Sequence, residues 1–247
     1  SVEGNRSVLS YKVVLGLWIA LWYWFLSVFK PSEAYLVDYL IDDKKFSSEQ
    51  VYQDIFPVWT YSYFAFVVIL ALVAEFVSYK NVIIVGTVSL WLACLLLLVP
   101  TTYTENNSYL YVMYVDEWLE GLGSASGVVF SSYLYLLVPE PYFIKITSYS
   151  RSAQLLSSVI SAFLGTAMIT FISLESSVWA TLAALSLGMV LSFFLVNVSQ
   201  RPGFALKSNM KDVFTAMKNW TNLKWLLWSA AFLAVHQLAL TYIQSLW

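Results

Sequence analysis

The sequence predicts an all-α membrane protein: a bundle of six spanning helices followed by a seventh span. Three observations lead there. Of 247 residues, 60% are hydrophobic and 11% charged, with a mean hydropathy of +0.70; a soluble domain carries about twice that charged share. Apolar runs of about 20 residues, the helical length needed to cross a ~30 Å hydrocarbon core, recur along the whole chain. Lysine and arginine concentrate on one side of those runs.

The first run covers 11–41 and is interrupted at Pro31. A proline is tolerated inside a spanning helix because neighbouring groups satisfy the freed backbone. The second run covers 54–78, the third 81–100, the fourth 108–138, the fifth 143–172, the sixth 177–198 and the seventh 223–247. No cleavage motif follows the first run, so it reads as an anchor and not as a removed signal peptide. Three segments follow: a six-helix bundle over 1–198, a basic cytoplasmic connector over 199–222, and a further helix over 223–247. The connector holds an amphipathic piece, MKDVFTAMKNW; lying on the inner leaflet or simply joining two bundles explains it equally well.

Orientation follows from the basic residues. With the N-terminus in the cytoplasm, Arg6, Lys12, Lys80, Lys145, Arg201, Lys207, Lys211, Lys218 and Lys224 lie inside, and only Lys44 and Lys45 lie outside. The sequon at Asn106 then sits on an outer loop but close to the membrane, while those at Asn197 and Asn219 face the cytoplasm and stay unmodified.

Composition also excludes whole classes. No catalytic, phosphate-binding or metal-ligand motif is visible, so an enzyme, a cofactor-binding protein or a nucleic-acid binder finds no support. Cys94, the single cysteine, sits in the apolar run WLACLLLLV and reads as packing. His236, the single histidine, lies in the seventh span without a metal-ligand partner at helical spacing and reads as a polar packing residue.

Carboxylates inside spans are costly and mark functional sites. Glu33 lies roughly 12 Å below the outer end of the first span, at 1.5 Å per residue. Trp59 and Tyr63 lie roughly 8 to 14 Å into the second, and Glu117 and Glu120 roughly 14 and 18 Å into the fourth. All five therefore reach one compartment between the outer surface and the midplane. Glu117 and Glu120 share a helix face, which Ser124 and Gly127 continue inward. They line a water-filled cavity or carry a proton. Asp116 is expected to snorkel to the surface and to stay outside this group. Trp59, Tyr61 and Tyr63 also fit a belt of interfacial aromatics, and GLGSASG reads as a close-packing face rather than a ligand contact. Toward the cytoplasm, Glu75 with Arg151 or Lys145 reads as a charge pair that holds the inner side closed; a solvated helix end is the plainer alternative for Glu75.

Several stretches carry a likeness. KPSEAYLVDYL contains a proline-serine-glutamate motif, and FPVWTYSYF a P-V-x-x-Y-S-Y motif opening the second span, with the acidic loop DDKKFSSEQVYQD between them. EFVSYKNVII, FSSYLYLLV, SYSRSAQLL and NLKWLLWSAAFLAVHQLALTYIQSLW extend it. Together these resemble the reduced folate carrier and thiamine transporter family, a branch of the major facilitator superfamily, through nearly the whole chain. The resemblance implies an N-terminal six-helix bundle plus the first helix of a second bundle. It also implies a vitamin substrate bound between bundles that rock to alternate access. Residue by residue, it implies that Glu33 belongs to the pocket, that Trp59 matches a tryptophan of thiamine carriers, and that Glu117 and Tyr133 match a glutamate and an aromatic of the fourth helix. Gly127 departs from the pattern, which is acidic there in thiamine carriers and basic in folate carriers. Phe130 keeps a ring but lacks the family's hydroxyl. Glu120 stands where the family has an aromatic, two turns from Gly127, as a candidate replacement charge.

Folate is a dianion and wants cationic partners; thiamine is a flat cation and wants carboxylates and ring faces. The outer half offers Glu33, Glu117 and Glu120 with Trp59, Tyr63 and Phe130, and only Lys30 is basic there, with Glu33 close enough to neutralise it. A cation over a desolvated ring gains about 2 kcal/mol or more. The balance favours thiamine or a similar organic cation, in a multi-pass protein of the plasma membrane. Reduced folate is the alternative substrate. A further alternative is a truncated half-transporter, inert or acting only by pairing with a second six-helix bundle.

Overall fold

The structure, a computed structural model, describes residues 11–100, 108–198, 215 and 217–243. The side chains of Glu75 and His236, the sequon at Asn106 and most of the 199–222 connector lie outside the described residues. The described chain is helical, with no strand, and falls into two units, Ser1–Ser199 and Gln200–Trp247.

Six long helices build the first unit: α1 (Tyr11–Val28), α2 (Phe56–Phe76), α3 (Tyr79–Leu97), α4 (Ser108–Leu137), α5 (Phe143–Phe171) and α6 (Leu174–Phe193). The second unit holds α7 (Trp220–Ile243). The seven helices fall on the seven expected spans, with ends that shift by a few residues. Five of the helical segments are long and apolar enough to cross a bilayer. The 30 residues of α4 suffice in length, but its serines, tyrosines and carboxylates make it more polar. That is the composition of a helix that faces protein or water rather than lipid.

Pro31 breaks the first span as its geometry requires, because it cannot donate to the helical ladder. After α1 ends at Val28, a 3₁₀ turn at Glu33–Tyr35 and a π-helical turn at Tyr39–Asp43 carry the chain outward. The break is held from two sides. Ser32 donates its backbone N–H to Thr181 Oγ1 at 3.3 Å, and the two hydroxyls are 2.9 Å apart. On α5, a Cβ at Gly165 would meet the Pro31 carbonyl oxygen at 2.5 Å, so only glycine admits this approach.

Helix α4 runs along both α2 and α3, α6 along α3 and α1, and α5 along α1. The α2–α4 contact is close because Gly121 leaves room for the Ser62 hydroxyl, which donates to the Glu117 carbonyl at 3.3 Å. The GLGSASG run thus packs helix on helix, as small residues do in membranes. One buried cluster toward one end of the bundle joins Ala20, Tyr23, Ile83, Phe130, Tyr133 and Ile146. Another, toward the other end, joins Leu40, Val51, Ile55, Tyr109 and Met113.

Lys44 fastens the end of the bundle that holds this second cluster. Its ammonium donates to the Val99 carbonyl at 2.6 Å and lies 5.3 Å from the centres of the Tyr39 and Tyr109 rings. Burial pulls this ammonium below the usual lysine range, and the charges of Glu175 and Asp43 partly oppose that shift.

Candidate functional site

The Pro31 break places Lys30 and Glu33 on an irregular turn facing α4. The Lys30 ammonium lies in direct contact with Glu120 Oε1 and 3.9 Å from Glu33 Oε2. Lys30 and Glu120 are mostly enclosed, with side chains 19% and 26% exposed, whereas Glu33 is 68% exposed. Four residues before Glu120, one helical turn outward, is Asp116. It is only 5% exposed, and its Oδ1 has no hydrogen-bond partner. This corrects the expectation that Asp116 snorkels: it is as buried as Glu117, which is 6% exposed. The same stretch of α4 thus holds Asp116, Glu117 and Glu120, and Lys30 and Glu33 meet it at Glu120.

An aromatic pair lies on α2, which packs against this stretch of α4. Trp59 and Tyr63 stack with ring centres 5.4 Å apart and planes 11° from parallel. Ser62, between them in sequence, donates to the Trp59 and Glu117 carbonyls. The same contact sets the stack alongside the Glu117–Gly121 turn. Trp59 and Tyr63 are both half-buried.

Phe130 and Tyr133 lie deeper on α4 and within the core. Phe130 is 1% exposed, with its ring stacked on Trp24 at 4.9 Å and 12° and tilted against Tyr23 at 5.2 Å. Tyr133 is fully buried and donates to the Val196 carbonyl at 2.8 Å. The structure thus brings Glu33 and Glu120 to Lys30, sets Trp59 and Tyr63 on α2 near the Glu117–Gly121 turn, and places Phe130 and Tyr133 in the packed core.

Gly127 has a structural counterpart that sequence reading missed. A Cβ there would come within 3.2 Å of Trp24 Cη2. The Trp24 ring covers Gly127, and its indole nitrogen is buried without a hydrogen-bond partner. Where the resembling carriers hold a charge on α4, this chain holds an aromatic plate from α1. Glu120 does not offer an unengaged charge in its place, because Lys30 is already on it.

Of the expected charge pair at the other end of the bundle, the side chains of Arg151 and Lys145 lie among the described residues. Arg151 is exposed and donates to Gln154 Oε1 at 3.0 Å, and Lys145 lies 5.8 Å from the Tyr142 ring centre. Lys80 donates to the Phe193 carbonyl at 2.7 Å, at the end of α6. The side chain of Glu75 is outside the described residues. A groove of about 580 Å³ opens here, lined by Tyr135, Phe143, Ile144, Thr147, Ser148 and Arg151.

Comparison with known proteins agrees with this architecture. The family described as Reduced folate carrier matches residues 12–208. The chain is 32% identical over 226 residues to a folate-like transporter of Dictyostelium discoideum, covering 90% of this chain and 38% of that protein. It is 32% identical over 176 residues to thiamine transporter 1 of Mus musculus, 70% of this chain and 34% of the relative. With the reduced folate transporter of Homo sapiens it shares 31% over 193 residues, 77% of this chain and 31% of the relative. The chain thus spans about a third of these relatives' length. With apolar helices of spanning length, it is a multi-pass membrane protein, and it belongs to the reduced folate carrier family.

Proposed function

We propose that this chain forms the N-terminal half of a vitamin carrier whose substrate is thiamine or a similar flat organic cation. The observation that supports this reading is the charge balance at the Pro31 break: Glu33 and Glu120 meet the ammonium of Lys30, Asp116 and Glu117 are buried on the same stretch of α4, and the Trp59–Tyr63 stack lies on the neighbouring α2. Carboxylates in a low-dielectric site attract a cation strongly, and a ring face adds about 2 kcal/mol when desolvated. A dianion there would face repulsion. Glu33, Glu117 and Glu120 supply charge, Trp59 and Tyr63 supply ring faces, and Phe130 and Tyr133 hold the floor. Glu75 with Arg151 or Lys145 closes the cytoplasmic side.

In this reading residues 1–198 form one bundle, 199–222 a cytoplasmic connector, and 223–247 the first helix of a second bundle with which the site is completed. The N-terminus is cytoplasmic and the membrane is the plasma membrane. Access alternates as the two bundles rock. One observation favours reduced folate as a second reading: Arg151 is exposed on α5 and lines the inner groove, where it offers a seat for an anion. A half-transporter that is inert alone is the third, since the relatives are more than twice as long.

Uptake of labelled thiamine by cells expressing this chain, with unlabelled thiamine or folate as competitor, separates the three. Competition by thiamine supports the first reading and competition by folate the second. Background uptake by a chain that reaches the membrane supports the third.

A further inference from the structure

We propose that Lys30 is a tethered cation occupying the seat that a cationic substrate takes, and that Asp116 is the second seat to which the lysine ammonium withdraws. This rests on the cation reading given above. In the structure the ammonium sits on Glu120 and within 3.9 Å of Glu33, so the most exposed carboxylates of the cluster already hold a positive charge. An entering cation must displace it.

The displaced ammonium has a destination. Asp116 and Glu120 are four residues apart on α4 and share one face, with Cβ atoms about 5–6 Å apart. Asp116 is 95% buried, and its Oδ1 has no partner while Lys30 is on Glu120. A buried acceptor left unpaired is costly, which favours another state of the protein in which a donor meets it. Lys30 and Asp116 are close enough for their charges to interact. The lysine stem is four flexible carbons long and starts from the turn before Pro31, where no helical ladder fixes it. A swing of one helical turn along α4 transfers the ammonium from Glu120 to Asp116.

This arrangement selects among cations. A tethered amine competes at high effective concentration, so simple ammonium ions gain too little to displace it. A flat cation that also stacks on Trp59 or Tyr63 gains the additional ring contact and wins.

The test uses the purified full chain in lipid nanodiscs, with ethylammonium and labelled thiamine as probes. Lys30→Ala opens the seat, so saturable thermal stabilisation by ethylammonium is expected in that variant and not in the wild type. Thiamine is expected to bind Lys30→Ala about tenfold more tightly. Asp116→Asn is expected to weaken thiamine binding about tenfold when Lys30 is present and less than twofold in the Lys30→Ala background. Equal loss in both backgrounds, or no tightening in Lys30→Ala, overturns the proposal. Should Lys30→Ala fail to fold, Lys30→Arg keeps the charge and grips Glu120 more firmly; weaker thiamine binding supports the proposal and unchanged binding overturns it. If no variant binds thiamine while ethylammonium still stabilises Lys30→Ala alone, the vitamin reading fails and the lysine seat stands.

Discussion

Lys30 and Glu120, ninety positions apart in sequence, are in direct contact at the point where Pro31 interrupts the first span. The contact joins α4 to the irregular turn, and its loss leaves one charge enclosed with a weaker partner. Glu120→Gln is expected to destabilise the folded chain by about 1–3 kcal/mol, below the ~3–5 of a fully buried pair because both side chains keep some exposure. The paired replacement Lys30→Met with Glu120→Leu is expected to cost less than Glu120→Gln alone. Thermal unfolding in nanodiscs measures both, and a double variant no better than the single one counts against the pair.

Gly127→Glu tests the aromatic plate. The new Cβ meets Trp24 Cη2 at 3.2 Å, so the indole must give by a few tenths of an ångström and its stack on Phe130 is pressed. Overpacking of this kind costs about 1–3 kcal/mol. Adding Trp24→Ala is expected to recover most of that loss, because it empties the space the glutamate needs. Unfolding temperatures of the two variants decide the matter, and an additive loss in the double variant contradicts the steric explanation.

Trp59→Ala removes a ring from the Trp59–Tyr63 stack. Thiamine binding is expected to fall roughly tenfold or more, given about 2 kcal/mol for a desolvated cation–ring contact, with stability changed by about 1 kcal/mol from the lost stack. Equilibrium binding beside an unfolding curve separates these effects. Unchanged affinity would assign Trp59 to an interfacial belt.

Lys44→Met removes the hydrogen bond to Val99 and both ring contacts while keeping an apolar stem of similar length. A loss of about 1–3 kcal/mol is expected, since the Val99 carbonyl loses a charged donor. Faster hydrogen exchange at residues 39–46 and 97–99 would locate the loss at the outer end. Uniform exchange across the bundle would contradict a local fastening.

The spans and the Pro31 break were legible because length, hydropathy and proline chemistry act locally. Residue counting placed Glu33, Glu117 and Glu120 within the spans, and the structure sets Glu33 on the turn after Pro31 and the other two on α4. Asp116 was misjudged although it lies eight residues into α4, the same count that places Glu33 below the surface. Depth alone does not tell which way a side chain turns, and the contact of α4 with α2 and α3 sets that rotation. The Lys30–Glu120 contact and the Trp24 plate join segments 90 and 103 positions apart, and no local pattern carries them. Gly127 did signal a vacancy, but the sequence around it does not name the ring that fills it.

Competition between thiamine and folate for binding to the purified chain, repeated with Glu33→Gln, tests most directly whether the carboxylate cluster receives a cation. Displacement of labelled thiamine by thiamine and not by folate is expected, with affinity falling about tenfold in Glu33→Gln while the protein still reaches the membrane. Displacement by folate, or thiamine affinity unchanged in Glu33→Gln, would contradict a cation held by these carboxylates.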